Sequence, residues 1–139
     1  MEIREFTDAH TDAVIDLWQM AGLTHSNNKP SLDIQRKLND SPWGFLVAFE
    51  GDSIIGSVMA GYDGHRGWIN YLVCHPNHRR RGVGKALMTE ARNLLLKRGC
   101  PKINLQVRAG NESAVKFYES IGYSEDNVTS FGLRLIPDN

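Results

Sequence analysis

Residues 71–87, YLVCHPNHRRRGVGKAL, constrain the fold more than any other stretch of the chain. Residues 71–74 form a short apolar run that Pro76 ends, which predicts a buried strand. From Val83 onward the apolar residues recur at helical spacing, which predicts a helix that follows the strand closely. The buried face of this helix is predicted to carry Val83, Leu87, Ala91, Leu94 and Leu95.

The loop between this strand and this helix has the features of a phosphate site. The first N–H groups of a helix lack internal partners, and the helix dipole favours negative charge there. Glycines let the backbone approach an anion closely, and nearby cations can reach outlying phosphates. The residues predicted to bind phosphate in this way are Arg79, Arg80, Arg81, Gly82, Val83, Gly84 and Lys85.

Two common phosphate motifs do not fit the loop. A P-loop needs a longer spacing between its glycines and a Ser or Thr after the lysine, but only Val83 separates Gly82 from Gly84, and Ala86 follows Lys85. The dinucleotide fingerprint needs a third glycine where Leu87 stands. Residues 79–84 fit Arg/Gln-x-x-Gly-x-Gly/Ala instead, and a basic loop that merely caps a helix is the simpler alternative.

Composition excludes several classes of protein. The chain has 139 residues, of which 41% are apolar, as expected for a single domain with one core. Its 16 basic and 16 acidic residues cancel, which argues against nucleic acid as a main partner. It lacks a signal peptide and a long apolar run, so we expect a cytoplasmic protein without membrane contact. Its two cysteines, Cys74 and Cys100, lack the spacing of a disulfide framework or a metal site.

The remaining periodicity predicts a mixed α+β protein. The order is strand, two helices, three strands, helix, strand, helix and two strands. A helix between two strands gives a right-handed parallel crossover, which places a parallel pair at the phosphate loop. The strands are predicted at residues 1–6, 45–49, 54–60, 68–74 and 103–107, with a final hairpin at 123–136. The helices are predicted at 13–21, 31–39, 83–97 and from Asn111 to 121, with a polar loop at 25–30.

The loop motif and this order resemble the GNAT N-acetyltransferases. A second motif supports the resemblance: residues 111–118, NESAVKFY, followed by Ile-Gly-Tyr at 121–123, are similar to the Asn-x-x-Ala-x-x-x-Tyr helix of that family. The resemblance implies one GNAT domain over residues 1–139. Its central sheet would be mixed and mostly antiparallel, with about seven strands flanked by four helices and a splayed parallel pair at the CoA site. Length, order and residues 61–67, GYDGHRG, are most like the small bacterial YpeA-type members.

The resemblance also implies a reaction, in which acetyl-CoA gives its acetyl group to a primary amine by direct attack, without a metal or a nucleophilic cysteine. The pantetheine arm would pair with the backbone of Leu72, Val73 and Cys74, and an N–H of that strand would face the thioester oxygen. Asn111 would bind the CoA arm. Tyr118 would protonate the departing thiolate, because a phenol with a pKa of about 10 is protonated at neutral pH. Without the motif, Tyr118 would be interpreted as a core aromatic.

The sequence does not identify the group that takes the proton of the amine. Some relatives that modify protein N-termini carry Glu where this chain has Gln106, which cannot act as a base. Asp63, His65, Tyr71 or an ordered water could replace it. The loop that holds Asp63 and His65 is equally typical of a plain hairpin turn.

Other functions stay open at this point. A non-catalytic acyl-CoA-binding sensor would keep the phosphate loop but would not need Tyr118. A toxin-like transferase acting on charged tRNA would need a basic face, which a net charge of zero does not favour. The acceptor could be a small-molecule or peptide amine, and the length of the acyl chain and a homodimer are left open.

Overall fold

A computed structural model of the chain describes residues 1–23 and 29–138. The strands are β1 (Glu2–Glu5), β2 (Phe45–Glu50), β3 (Ser53–Tyr62), β4 (Gly67–Cys74) and β5 (Ile103–Leu105). The helices are α1 (Thr11–Met20), α2 (Pro30–Asp40), α3 (Val83–Lys97) and α4 (Glu112–Ser120). The four predicted helices are confirmed. Most of the polar loop predicted at residues 25–30 lies outside the described residues.

The chain divides into two compact units. The first unit contains residues 1–105 together with Asp138, and the second contains residues 106–137. The first unit therefore holds all five strands and helices α1 to α3, and the second holds α4. Among the described residues, no helix is both long enough and apolar enough to cross a membrane.

The sheet of the first unit follows the order β1-β2-β3-β4-β5. The first three pairs of neighbours are antiparallel, and β4 pairs with β5 in parallel. The parallel pair is short, because its last match is Ile69 with Leu105, and residues 70–74 of β4 continue beyond it. The prediction of a mixed, mostly antiparallel sheet with a splayed parallel pair is confirmed.

The predicted number of strands is wrong. The described residues form five strands rather than about seven, because the hairpin predicted at 123–136 does not form. That prediction rested on alternating apolar residues, but a strand also needs a neighbour for its backbone groups, and alternation alone does not supply one. The apolar side chains of this segment are largely exposed: Val128 80%, Phe131 94%, Leu133 84% and Leu135 84%.

Helices cover both faces of the sheet in the first unit. Trp18 of α1 and Ile34 of α2 pack with Phe45 and Val47 of β2 in one apolar cluster. The other face is covered by α3, and Gly56 of β3 sets the contact distance there. A Cβ atom on Gly56 would lie 2.8 Å from Val83 Cγ1 and 2.9 Å from Leu87 Cδ1. The buried residues of α3 are Val83, Leu87, Met88, Ala91 and Leu95, which confirms most of the predicted face.

Lys37 of α2 is a cation that the fold partly buries. Its Nζ donates to Ser41 Oγ at 2.7 Å and to the carbonyl of Ala60. Burial lowers the pKa of Lys37 from its ordinary value of 10.5 to about 8, and Asp40 partly opposes this change.

We expect the stability of the protein to rise with pH because of this lysine. Between about pH 8 and 10.5 the unfolded chain keeps the proton that the folded chain has released, so the free energy of unfolding increases across that window. Lys37→Met should remove the increase, and Lys97→Met, at an exposed position of α3, should keep it. Urea unfolding at several pH values measures the slope, and an unchanged slope in Lys37→Met would contradict the assignment.

Candidate active site

Local hydrogen bonds guide the chain from β4 to α3. The N–H of His75 donates to the carbonyl of Ile55 at 2.8 Å, so pairing with β3 extends one residue past β4. The ring Nδ1 of His75 then accepts the N–H of Asn77 at 3.1 Å and caps the 3-10 turn Pro76–His78. Proline cannot donate to a ladder, so the strand ends here and the chain turns towards the arginines.

The backbone of the loop takes a left-handed conformation at two positions. Arg80 has φ 66° and Gly82 has φ 79°. Gly82 is the N-cap of α3, and its carbonyl accepts the first helical bond from Ala86 at 3.0 Å. No side chain of the described residues caps this helix. The N–H groups of the first turn, from Val83 to Lys85, consequently lack a helical partner, as a bound anion requires.

The side chains of the loop divide into two groups. Val83 is buried and packs against Gly56, so it can offer a ligand only its backbone. The cations are exposed and can reach a ligand: Arg79, Arg80, Arg81 and Lys85. The predicted phosphate residues thus lie together at one end of α3.

Strand β4 carries a bulge immediately before its last residues. Ser57 pairs with Val73 and Met59 pairs with Asn70, so Val58 lies opposite both Tyr71 and Leu72. Tyr71 has φ 51°, which is unusual for an aromatic residue. Leu72, which belongs to the bulge, and Val73 and Cys74, which follow it, were predicted to bind pantetheine, and all three lie beyond the last pair with β5.

The other two predicted site residues lie at either end of α4 in the second unit. Asn111 is the N-cap of this helix, and its Oδ1 accepts the N–H of Ala114 at 3.2 Å and the hydroxyl of Ser113 at 3.1 Å. Tyr118 is half-buried and makes edge contacts with Phe117 and Tyr123 at centroid distances of 5.1 and 5.9 Å. Burial, and to a smaller degree Tyr123, raises the pKa of Tyr118 to about 12.

Comparison with known proteins identifies the family. The model of the "Acetyltransferase (GNAT) family" matches residues 5–123. The chain belongs to the GNAT acetyltransferase family. An acetyltransferase of Sodalis glossinidius is 46% identical over 99% of this chain and 98% of its own length. One of Pectobacterium atrosepticum is also 46% identical, with the same coverage.

Solved structures share the GNAT fold. The acetyltransferase AAC(6')-Iy, in complex with the bisubstrate analogue CoA-S-monomethyl-acetylneamine, aligns with a TM-score of 0.78 at 19% identity, over 96% of this chain and 98% of that one. GNAT acetyltransferases use acetyl-CoA as the acyl donor, and the chain is an acyltransferase of that family.

Cys74 is a free cysteine in the segment of β4 that was predicted to bind pantetheine. Burial raises the pKa of this thiol, and Arg79 only partly opposes the change. A thiol with a raised pKa is a poor nucleophile, because the thiolate is the reactive form. That no cysteine attacks the acetyl group stays a prediction.

Asp63, one of the candidate bases that the sequence left open, accepts hydrogen bonds from residues of its own turn. Its Oδ1 accepts the N–H groups of Arg66 and His65 at 2.7 and 2.8 Å, and its Oδ2 accepts the indole N–H of Trp68 at 3.2 Å. These bonds, that of Arg66 foremost, lower the pKa of Asp63. The geometry favours the plain hairpin turn over a catalytic loop.

Tyr71, another candidate base that the sequence left open, contacts Ser57, Trp18 and Asp33. Its carbonyl accepts the hydroxyl of Ser57 at 2.9 Å, and that hydroxyl accepts the indole N–H of Trp18 at 2.9 Å. Its ring stacks on Trp18 with the centroids 3.9 Å apart. Its Oη donates to Asp33 Oδ2 at 2.5 Å. Burial, and next Asp33, raises the pKa of Tyr71 far above its usual value.

The sequence analysis missed Asp33 and Ser57. Asp33 lies in the first turn of α2, where an acidic residue is ordinary. Ser57 had a detectable signal, because it is a polar residue within the apolar run of β3 and is fully buried. Buried hydroxyls find hydrogen-bond partners, so its position alone indicated a specific contact.

Proposed function

We propose that this chain is an N-acetyltransferase that transfers the acetyl group of acetyl-CoA to a primary amine by direct attack. The observation that carries the proposal is the start of α3. There, uncapped N–H groups, two left-handed residues and four exposed cations lie next to a strand end that has no further pairing with β5. A pyrophosphate would accept hydrogen bonds from the uncapped N–H groups, and an extended amide-rich arm would pair with the end of β4.

The residues that would hold acetyl-CoA have distinct tasks. The backbone from Arg80 to Lys85 binds the pyrophosphate, and Arg79, Arg81 and Lys85 neutralise outlying phosphates. The backbone of Leu72, Val73 and Cys74 pairs with the pantetheine arm, and one of its N–H groups stabilises the oxygen of the thioester as negative charge develops there. Asn111 binds the CoA arm in addition to capping α4.

The leaving group requires an acid, and we assign this role to Tyr118. Its pKa of about 12 keeps the phenol protonated at neutral pH, so it can donate to the thiolate of CoA. A non-catalytic acyl-CoA sensor, the alternative that the sequence left open, would not need this tyrosine.

The acceptor is proposed only as a class. The bisubstrate analogue in the AAC(6')-Iy complex is CoA-S-monomethyl-acetylneamine, and the likeness in fold favours a small-molecule amine as the acceptor of this chain. A peptide amine remains the second option. We further propose that residues 1–139 act as a single domain, which is supported by a family match that includes parts of both units, and that the protein acts in the cytoplasm.

Calorimetry with acetyl-CoA, ATP and NAD tests the donor. We expect acetyl-CoA to bind selectively, and incubation with spermidine, neamine and a lysine-containing peptide should then release CoA from acetyl-CoA. Absence of acetyl-CoA binding would overturn the proposal. Binding without release of CoA on any amine would favour the sensor.

A further inference from the structure

We propose that Tyr71 and Asp33 together accept the proton of the attacking amine. This inference rests on the proposed acetyl transfer and adds the group that the sequence left unassigned. It also gives a reaction-related role to Asp33, a residue outside the motifs of the sequence.

Tyr71 lies at the point of β4 where the donor is proposed to bind. It is the residue directly before the segment 72–74 that is proposed to bind the pantetheine and the thioester, so its Cα lies about 3.8 Å from that of Leu72. It also lies two residues past Ile69, the last residue of β4 that pairs with β5. The side chain of Tyr71 therefore belongs to the region where the sheet opens.

The phenol of Tyr71 lies on the face of the sheet opposite α3. Its ring stacks on Trp18 of α1 and its hydroxyl reaches Asp33 of α2, so it is on the face that α1 and α2 cover. The phosphate loop begins α3, which covers the opposite face. A donor bound along β4 and an amine arriving from the side of α1 and α2 would thus meet at the bulge.

Buried neighbours hold Tyr71 in its conformation. The left-handed backbone of Tyr71 is maintained by the Ser57 hydroxyl on its carbonyl, and both Ser57 and Trp18 are fully buried. An unusual backbone conformation persists where surrounding contacts determine it, and such residues concentrate at functional sites. Trp18 and Ser57 are positioning residues in this arrangement.

The pair has the chemistry that either residue alone lacks. Neutral Tyr71 has no charge with which to attract a proton, and burial keeps it neutral. Asp33 supplies the negative charge through the 2.5 Å hydrogen bond. The charged groups that face Asp33 are Arg36, at 3.6 Å on its own helix, and Asp138, which Arg36 also binds at 2.9 Å. Arg36 is therefore shared between two carboxylates, and its contact with Asp33 is the longer of the two.

The alkylamine arrives as an ammonium, and its first proton passes to Tyr71 Oη as the proton of Tyr71 passes to Asp33 Oδ2. The neutral nitrogen then forms a bond to the acetyl carbon and releases its second proton to water. The bond between carbon and sulfur breaks, and Tyr118 protonates the thiolate. Asp33 then loses a proton to solvent and Tyr118 regains one, so the products are the amide and CoA.

The test compares an alkylamine with hydroxylamine as acceptors for the variants Asp33→Asn and Tyr71→Phe. The alkylamine is whichever of spermidine, neamine and the lysine peptide the wild type acetylates fastest. A lysine-like ammonium has a pKa of about 10.4 and depends on a base, whereas hydroxylamine is largely neutral at pH 7. Each variant should lower kcat/KM for the alkylamine by about 10²-fold and should lose much less with hydroxylamine.

Three further results are expected if the residues act as a pair. The double variant should be no slower than the slower single variant, because the two groups perform one task. The rate with the alkylamine should increase with pH further into the alkaline range than in the wild type. Asp63→Asn and His65→Ala should keep the wild-type profile and serve as controls. Calorimetry with acetyl-CoA should give the wild-type affinity for every variant.

Two outcomes would overturn the inference. One is a wild-type pH–rate profile in both variants, and the other is an equal loss with the alkylamine and hydroxylamine, which indicates damage to the fold. Tyr71→Phe keeps the stacked ring and Asp33→Asn keeps an acceptor oxygen, so one properly folded variant is sufficient for a decision. Failure of the wild type to acetylate any acceptor would instead overturn the proposed function itself.

Discussion

Gly82→Asp is expected to weaken acetyl-CoA binding by about 10²-fold or more, because the new carboxylate would occupy the place of a phosphate. Asp is a favoured N-cap residue, so its side chain would accept the N–H groups at the start of α3 that are proposed to hold the pyrophosphate. It would also repel the remaining phosphate charge. Loss of two charge-assisted hydrogen bonds at about 1.5–3 kcal/mol each is sufficient for this effect.

The stability of Gly82→Asp should change much less than its affinity. A side chain at the left-handed φ of 79° should lower the free energy of unfolding by about 1–2 kcal/mol, whereas the new N-cap should raise it by about 1 kcal/mol. Gly51→Asp is the matched control, because Gly51 also has a positive φ of 59° and open space around its Cα. Calorimetry should show weakened binding in the first variant only. Wild-type affinity in Gly82→Asp would remove the phosphate assignment.

Tyr118→Phe is expected to lower kcat by about 10²-fold while the affinity for acetyl-CoA is unchanged. The substitution removes only the hydroxyl, so the ring contacts with Phe117 and Tyr123 persist. A thiolate that leaves without a proton donor raises the barrier of the transfer step, and binding of the ground state does not involve that step. Steady-state kinetics at saturating acetyl-CoA, together with calorimetry, separates the two quantities.

The pH dependence gives this second prediction a further check. Because the folded pKa of Tyr118 is about 12, its ionisation should cause no decline of the wild-type rate below about pH 11. Tyr62→Phe removes an exposed hydroxyl that donates to the Gly64 carbonyl at 3.3 Å, and it should leave kcat unaltered. An unaltered kcat in Tyr118→Phe as well would exclude tyrosine as the acid.

A helix or strand of this chain was predictable where the local sequence marks both of its ends. Helix α3 follows Gly82 and ends before Gly99, and its structural bounds, Val83–Lys97, agree with the predicted ones. The hairpin at 123–136 failed because its signal was alternation alone. Whether such a segment pairs depends on a partner elsewhere in the chain, which the segment does not encode.

In the candidate site, too, the parts with a local sequence signal were predictable and the others were not. The phosphate loop is contiguous, so spacing alone was sufficient to find it. The Tyr71–Asp33 contact joins residues 38 positions apart, and the Trp18–Ser57 contact joins residues 39 positions apart. Tyr71 lies at the bulge of β4, and bulges have weak sequence signals. Periodicity could place each residue on its element but could not bring them together.

Gly56 has a consequence for how the sequence can vary. It has no part in the proposed chemistry, yet any side chain there would collide with Val83 and Leu87 and would push the start of α3 away from the sheet. The loop would move with the helix, since Gly82 is its N-cap. In a deep mutational scan for acetyl transfer, Gly56 should therefore tolerate substitution as poorly as the residues of the loop. Sequence profiles of functional variants would then suggest a catalytic role for Gly56, although its only contribution is the absence of a side chain.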